Sequence, residues 1–385
     1  MNKKKKITFL DVFSTIFPLL FGCALGLLWA NFIDTEELFK DSIFPIFLLF
    51  PIFYLAFVLQ IIIHEAGHLI FGLLTGYKFC SFRIYSLLWI KQDGKIKLKR
   101  NSIPGTAGQC LLSPPNIENM PFVLYTLGGV ILNIVVSVLC AIIATVFPHN
   151  IYLNIFFETF TILGIGFALA NGIPMKSGPV VNDGYNLACI LKDRSALKSI
   201  WVQLKATEQL TLGVRLKDMP SEWFELPEDE KMKNALIATM GAYHCSFLME
   251  QKDFSKTLEA IDHILGIDSS MIELHRELLI CDKIYCLLIE GNEQKAAELM
   301  ADKKRKKFMA SMKQSLSVMR TQYAFSLICE NNPAKALDFK IAFEKRAKSY
   351  PYAPDIESER ELFELADAKF SQNHSNLHST SNIQS

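Results

Sequence analysis

The sequence predicts an α-helical polytopic membrane protein with a small β-hairpin, followed by a cytoplasmic all-α helical-repeat domain. Half of the 385 residues are hydrophobic, and a chain of this length usually forms two or three domains. Long apolar runs fill the first 190 residues, whereas Lys, Glu and Asp are frequent afterwards. We therefore expect a membrane-embedded domain over residues 1–194 and a helical domain over residues 195–370. Residues 371–385 are rich in Ser, Asn and His and are expected to be disordered.

The overall composition argues against two function classes. The formal net charge is only +1, and no global basic surface suggests a nucleic-acid partner. Nine cysteines are scattered singly, without the Cys-x-x-Cys spacing of a redox or zinc site. We interpret them as buried thiols in a reducing compartment.

About four apolar runs are long enough for a transmembrane helix, which needs about 20 residues. They cover residues 12–33, 43–74, 121–147 and 153–173. The first run follows four lysines and is longer than the apolar part of a signal peptide, so an uncleaved anchor is favoured over a cleaved signal. In the second run, Pro45 and Pro51 are expected to separate an interfacial stretch from the span itself.

The distribution of positive charge among the short loops gives the orientation of these spans. Residues 77–120 contain seven Lys or Arg, whereas residues 34–42 contain one and residues 148–150 contain none. We expect the N-terminus, residues 77–120 and everything after residue 175 to be cytoplasmic. The composition and the short loops are typical of a bacterial plasma membrane protein.

The second apolar run contains the motif His64-Glu65-Ala66-Gly67-His68. Residues four apart share a helix face, so His64 and His68 can present two imidazole nitrogens to one tetrahedral zinc, with Glu65 beside them as general base. Such a pattern arises by chance in roughly one chain in a hundred. Ionisable side chains within a bilayer need compensation by a metal, by one another or by water. The motif therefore predicts a Zn²⁺ site, with one ion per active site.

A hydrolytic zinc needs a third protein ligand and an open position for water. Asp183 follows an irregular segment with Gly and Pro that can return a carboxylate towards the cytoplasmic side. Glu158 is the rival, but it lies near the outer start of the fourth run, on the order of 10–20 Å from the histidines at 1.5 Å per residue. The expected depth in the membrane therefore favours Asp183 as the third ligand. The alternative role of Asp183 is to cap the helix that follows it.

Three motifs together resemble those of the site-2 protease family of intramembrane zinc metalloproteases. They are the histidine motif, Gly128 to Asn133, and Asn171 to Pro174 with Asp183-Gly184, and the resemblance covers roughly residues 45–190. The resemblance implies that His64, His68 and Asp183 bind zinc and that Glu65 is the catalytic acid/base. It also implies that Asn133 and Asn171 line the active site.

Two features depart from the usual pattern of that family. The Asn-Pro-x-Pro element is present as Asn171-Gly172-Ile173-Pro174, and Asn182 precedes Asp183 where an apolar residue is common. No segment between the motifs is long enough for the PDZ domain of many bacterial relatives. Substrate selection is therefore expected from other parts of the chain.

A hairpin is predicted between residues 82–90 and 95–99, because Asp93-Gly94 is a strong turn signal. One hypothesis is that its edge pairs with an unwound substrate segment by strand addition. The alternative is that this basic hairpin rests on anionic lipid headgroups.

Polar turns recur near residues 251–253, 291–293 and 331–333, each between an apolar helix and a Lys-containing helix. A period near 40 residues suggests a TPR-like helical-repeat domain. A non-repetitive bundle that stabilises the membrane domain is the alternative.

Taken together, the residues and the resemblance predict a zinc-dependent protease that cleaves membrane-bound peptides or anchors, such as signal-peptide remnants or membrane-tethered regulators. The lipid bilayer and a membrane-bound substrate are its expected partners, and the helical domain is expected to recruit or gate the substrate, or to bind a protein partner. A membrane-anchored scaffold with a vestigial or regulatory metal site is a second possibility. A protease of the prenyl-protein type, with Glu158 as a ligand, is a third.

Overall fold

The computed structural model describes residues 22–27, 46–103, 105–146, 151–177 and 180–381. These residues are mostly helical, with short antiparallel strands. The chain forms two compact units. The N-terminal unit contains residues 1–85 and 105–197, and the C-terminal unit contains residues 86–104 and 198–385. Residues 86–104, which the sequence prediction placed in the membrane-embedded domain, therefore group with the helical part of the chain.

Among the described residues, three apolar helices dominate the N-terminal unit. They are α1 (Ile46–Leu74), α2 (Phe122–Val146) and α3 (Ile151–Gly172). Each is long enough and apolar enough to cross a membrane. Ala56, Cys140, Phe160 and Leu163 form a buried core where the three helices meet. Most of the first predicted span, residues 12–33, lies outside the described residues. The part that is described, residues 22–27, is helical.

Helix α1 is described from Ile46 and continues through Pro51 without interruption. The expected break at Pro51 is therefore wrong, whereas Pro45 lies outside the described residues. Proline removes one backbone donor, so the Phe47 carbonyl loses one intrahelical hydrogen bond. The long apolar run that follows keeps the helix continuous.

Four short strands and one further helix complete the N-terminal unit. Strand β1 (Lys78–Ile84) pairs antiparallel with β4 (Gly108–Ser113), with an irregularity between Phe79 and Ser81. The pair β5 (Lys176–Ser177) and β6 (Val180–Val181) leads into α4 (Asp183–Lys192). Helix α5 (Ala196–Thr211) begins where this unit ends, and nearly all of it belongs to the C-terminal unit. Arg83 is fully buried and donates hydrogen bonds to the carbonyls of Tyr85 and Gly108, at 2.8 and 3.1 Å. These bonds hold the start of β4 in place.

Strands β2 (Leu87–Gln92) and β3 (Lys95–Arg100) form the predicted hairpin at Asp93-Gly94. Both turn residues have positive φ, 53° and 74°, as a two-residue type I′ turn requires. The predicted first strand is divided, because the chain turns at Tyr85, whose φ is 51°. The hairpin packs within the C-terminal unit, where the Gln92 side chain donates to the Pro351 carbonyl at 2.8 Å.

The C-terminal unit is built from helices around one large apolar core and two smaller ones. They are α6 (Ala235–Glu250), α7 (Phe254–Gly266), α8 (Glu273–Ile289), α9 (Glu293–Ala301), α10 (Lys303–Ser311), α11 (Leu316–Ala324), α12 (Pro333–Ala347) and α13 (Ala353–Ser381). A π-helical segment, Phe325–Cys329, continues α11.

Three helix pairs, α6–α7, α8–α9 and α11–α12, share one turn geometry. The turn residues Lys252, Gly291 and Asn331 all have positive φ, at 62°, 83° and 48°. They are 39 and 40 residues apart in the numbering of the chain. Helix–turn–helix pairs thus recur at this spacing, with α10 inserted between the second and third pairs.

This geometry makes Gly291 sensitive to substitution. We expect Gly291→Ala to destabilise the protein by about 1–2 kcal/mol, because a residue with a Cβ pays that cost in the left-handed region. The measurement is the thermal unfolding midpoint of the full-length protein. Gly266→Ala is the matched control, because Gly266 ends α7 without positive φ and nothing lies within 4 Å of an added Cβ. Equal midpoints for the two variants would contradict the turn assignment.

Helix α13 extends to Ser381, so residues 371–381 are helical where the sequence predicts a disordered tail. Residues 382–385 lie outside the described part of the chain. Residues 371–381 extend a helix that Leu362, Phe363 and Ala366 anchor in the core. Extending an existing helix costs less free energy than starting one, even for weak helix formers. Asn373 also donates to Glu293 at 3.3 Å.

Candidate metal centre

The three ionisable residues of the histidine motif lie together on α1. His64, Glu65 and His68 are all buried, with 7–8% of their surface exposed. The two imidazole rings belong to successive turns of the helix, and their centroids are 4.9 Å apart. Helical spacing therefore places both rings on one face, as the sequence predicts.

Asp183, at the start of α4, brings a carboxylate to the two histidines. Its Oδ2 atom is 3.1 Å from His64 Nε2 and 3.3 Å from His68 Nε2. The two Nε2 atoms are 3.3 Å apart. Within the described residues, these three side chains form the cluster of His, Cys, Asp and Glu that can hold a metal ion.

The other ring nitrogens determine which atoms of the cluster carry lone pairs. His64 Nδ1 lies 2.8 Å from Asn133 Oδ1, and His68 Nδ1 lies 2.8 Å from the backbone carbonyl of Tyr125. Both partners are acceptors, so each Nδ1 carries a proton and donates it. In neutral imidazoles this leaves both Nε2 lone pairs directed at the Asp183 carboxylate. Three converging acceptors need a cation between them, either a proton on one Nε2 atom or a metal ion.

The spacing of the three donor atoms is compatible with a bound metal ion. Zinc, for example, binds His nitrogen and carboxylate oxygen at about 2.0–2.2 Å in tetrahedral sites, so its ligand atoms lie roughly 3.3–3.5 Å from one another. Two of the observed separations are 3.3 Å, at the lower end of this range, and the third, 3.1 Å, lies below it. Two imidazoles and one carboxylate also form the donor set of a catalytic zinc with one open position.

The charge state of Asp183 suits a role as metal ligand. Burial alone would raise the pKa of its carboxyl, but attraction to a protonated His68, together with hydrogen bonds from both imidazoles, holds that pKa below its ordinary value when a proton rather than a metal occupies the cluster. The carboxylate is therefore ionised at neutral pH and presents an oxygen ligand.

Asn182 builds the turn that delivers Asp183. Its side-chain oxygen accepts from the N–H groups of Met175 and Tyr185, at 3.0 and 2.9 Å. Its side-chain nitrogen donates to the carbonyls of Ala170 and Ile173. Four bonds thus tie the end of α3 to the start of α4, which an apolar side chain could not do. The helix cap is Asn182, and Asp183 is free for the cluster.

Glycines allow the backbone of α2 to approach the histidine motif closely. A Cβ on Gly67 would collide with the backbone of Gly128, and a Cβ on Gly129 would lie 2.5 Å from the His64 ring. Small residues at such contacts let membrane helices pack backbone to backbone. The approach places Asn133, one turn further along α2, within reach of His64.

Glu65 faces a different neighbour from that of the histidines. A Cβ on Gly108, the first residue of β4, would collide with the Glu65 carboxylate. The general base predicted from the sequence therefore lies beside the start of a β-strand, which Arg83 holds by its hydrogen bond to the Gly108 carbonyl.

The remaining predicted site residues occupy different places. Asn133 is fully buried and contacts His64 directly. Asn171 donates to the Phe167 carbonyl within α3 at 3.0 Å, and its own carbonyl lies against Gly184. Glu158 accepts from Asn154 at 2.9 Å and is not a member of the metal-binding cluster found among the described residues.

Comparisons of the chain with family models, with curated proteins and with solved structures found no match. Function is therefore argued from the site itself.

Two parts of the site are not among the residues predicted from sequence. They are Gln60, which contacts Asn133 at 2.6 Å, and Gly108 beside Glu65. The sequence could have indicated Gln60, because it is a carboxamide within an apolar run and lies four residues before His64. The sequence does not indicate Gly108, since only the strand pairing brings it to the motif.

Proposed function

We propose that this chain is a zinc-dependent intramembrane endopeptidase of the site-2 protease type, which cleaves membrane-bound peptides or anchors. The observation that carries the proposal is the convergence of three lone-pair donors, from His64, His68 and Asp183, at a spacing compatible with tetrahedral zinc ligands. Glu65, next to a ligand on the same helix, supplies the base that hydrolysis needs.

The position of the motif supports cleavage at the membrane. All three helices that pack around the cluster are apolar enough to cross a bilayer, and the histidine motif belongs to one of them. Substrates with transmembrane segments are helical, with their amides in hydrogen bonds, so a segment must unwind before it is cleaved. Signal-peptide remnants and membrane-tethered regulators are substrates of this kind.

The chemistry divides between the metal and Glu65. When bound, zinc supplies Lewis acidity that polarises a substrate carbonyl and activates water. The Glu65 carboxylate accepts the proton of the attacking water and returns it to the nitrogen of the departing amine. His64, His68 and Asp183 would hold the ion, and the burial of the two histidines limits access of bulk water to the site.

The C-terminal unit supports a role in recruitment. A cavity of about 470 Å³ opens between α9, α10, α12 and the π-helical segment. Its lining includes Met300, Met309, Phe325 and Phe339, together with Lys306 and Lys335. Methionines adapt to different apolar partners, so this cavity is a candidate for holding part of a protein partner or substrate.

We propose that the enzyme lies in a plasma membrane of bacterial type, which its composition and short loops suggest. The distribution of charge among the loops supports a cytoplasmic C-terminal unit. The active site would then open to the cytoplasmic side, and a cleavage product would be released there.

Zinc content and cleavage together test this proposal. We expect the purified wild-type protein to hold zinc and to cleave co-expressed membrane peptides. Asp183→Ala should lose the metal and all measurable cleavage, because a ligand is missing. Glu158→Ala is the matched control and should keep both.

The opposite result for the two variants would support a prenyl-type protease. A wild-type protein that holds zinc but cleaves none of a broad panel of membrane peptides would favour the scaffold with a regulatory metal site.

A further inference from the structure

Behind His64, a chain of buried carboxamides crosses all three apolar helices. His64 Nδ1 contacts Asn133 Oδ1 at 2.8 Å, Asn133 Nδ2 contacts Gln60 Oε1 at 2.6 Å, and Gln60 Nε2 contacts the carbonyl of Phe160 at 2.8 Å. Both carboxamide residues are fully buried. Polar side chains in such a position are costly unless every group is paired, and this chain pairs them in series.

The last contact fixes the direction of every other one. The Phe160 carbonyl can only accept, so the Gln60 amide group must face it and the Gln60 oxygen must face Asn133. The Asn133 amide group then faces Gln60, and the Asn133 oxygen faces His64. His64 Nδ1 must therefore carry the proton, which leaves the Nε2 lone pair for the metal.

The neighbouring residues make room for this arrangement. Gly164, one turn after Phe160, lies so close that a Cβ there would collide with the Gln60 amide and with Ser137. The Gln60 backbone carbonyl also lies 3.2 Å from Asn133 Nδ2, a longer contact than the 2.6 Å to the Gln60 side chain. The shorter contact to the Gln60 side chain is therefore the main restraint on Asn133.

We infer that Gln60 is a positioning residue, which orients Asn133 and thereby fixes the tautomer and direction of the His64 ring. The inference rests on the proposed metal site. Gln60 touches neither the ligand cluster nor Glu65 by these bonds, so it acts on the metal through two intermediates. Residues that orient metal-binding histidines in this way typically change metal affinity by 10–100-fold when they are replaced.

The test is the zinc affinity of the full-length protein in detergent, measured by competition with a chromogenic chelator. We expect Gln60→Met, which keeps the volume but removes both hydrogen bonds, to weaken zinc binding about 10–100-fold. Thr161→Val is the matched control, because Thr161 donates to carbonyls of α2 and α3, at Ser137 and Phe157, outside the chain that ends at His64. Its zinc affinity should equal that of the wild type.

A conservative variant separates positioning from mere packing. Gln60→Glu, which as a neutral carboxylic acid donates to the Phe160 carbonyl and accepts from Asn133, should keep a zinc affinity close to that of the wild type. Methionine and glutamate fill similar volumes, so a general loss of packing would affect both variants alike. Wild-type affinity in Gln60→Met, or a loss in Gln60→Glu as large as that in Gln60→Met, would overturn the inference.

This readout is independent of proteolysis. If the wild type binds zinc but cleaves nothing, the proposed protease fails and the role of Gln60 stands. If Gln60→Met binds zinc as the wild type does while the wild type cleaves, the protease stands and the role of Gln60 fails.

Discussion

Glu65→Gln is expected to abolish cleavage almost completely while the protein keeps its zinc. Gln has nearly the same shape as Glu but cannot accept the proton of the attacking water, and loss of a general base costs about 10²–10⁴-fold in rate. The ligand atoms belong to His64, His68 and Asp183, so metal content should not change. The buried carboxylate is also removed, so we expect no loss of stability.

The measurement pairs zinc content with the cleavage rate of one co-expressed membrane peptide. Glu158→Gln makes the same chemical change on α3, outside the described metal cluster, and should cleave at the wild-type rate. Cleavage by Glu65→Gln at the wild-type rate would remove Glu65 from the mechanism and with it the proposed protease.

Gly67→Ala is expected to lose both zinc and cleavage, although it adds only one methyl group. Alanine normally stabilises a helix relative to glycine by about 0.5–1 kcal/mol. Here the new Cβ would overlap the backbone of Gly128, which cannot rotate away as a side chain can. Helices α1 and α2 must separate, and overpacking of this kind typically costs 1–3 kcal/mol. The separation would also draw Asn133 away from His64.

Zinc content and the thermal unfolding midpoint of the purified variant measure this effect. Gly26→Ala is the control, since Gly26 is helical and has nothing within 4 Å of an added Cβ. It should match the wild type in both measurements. If Gly67→Ala retained full zinc and activity, the close contact of α1 and α2 would not be needed for the site.

The local parts of the fold could be predicted from sequence, because they depend on residues close together in the chain. Asp93-Gly94 specifies a turn by backbone conformation alone, and the spacing of His64 and His68 specifies one helix face. The break expected at Pro51 was wrong because proline removes a single backbone hydrogen bond, and the long apolar run on its C-terminal side keeps the helix continuous.

The parts of the site that depend on packing were harder to predict. Asp183 could be ranked above Glu158 by depth, but the bonds made by Asn182 that deliver it link segments up to 12 residues apart. The role of Gln60 depends on its hydrogen bonds to Asn133 and Phe160, which are 73 and 100 residues away in the chain. A local sequence pattern cannot predict these hydrogen bonds, because they depend on how distant helices pack against one another.

The shared turns of the C-terminal unit have a consequence for how this half of the chain can change over evolutionary time. Lys252, Gly291 and Asn331 have no side-chain chemistry in common, and only the sign of φ unites them. A repeat that is specified by backbone handedness leaves its side chains free to drift. The outer surfaces of the helix pairs can therefore acquire new binding specificities while the scaffold keeps its shape.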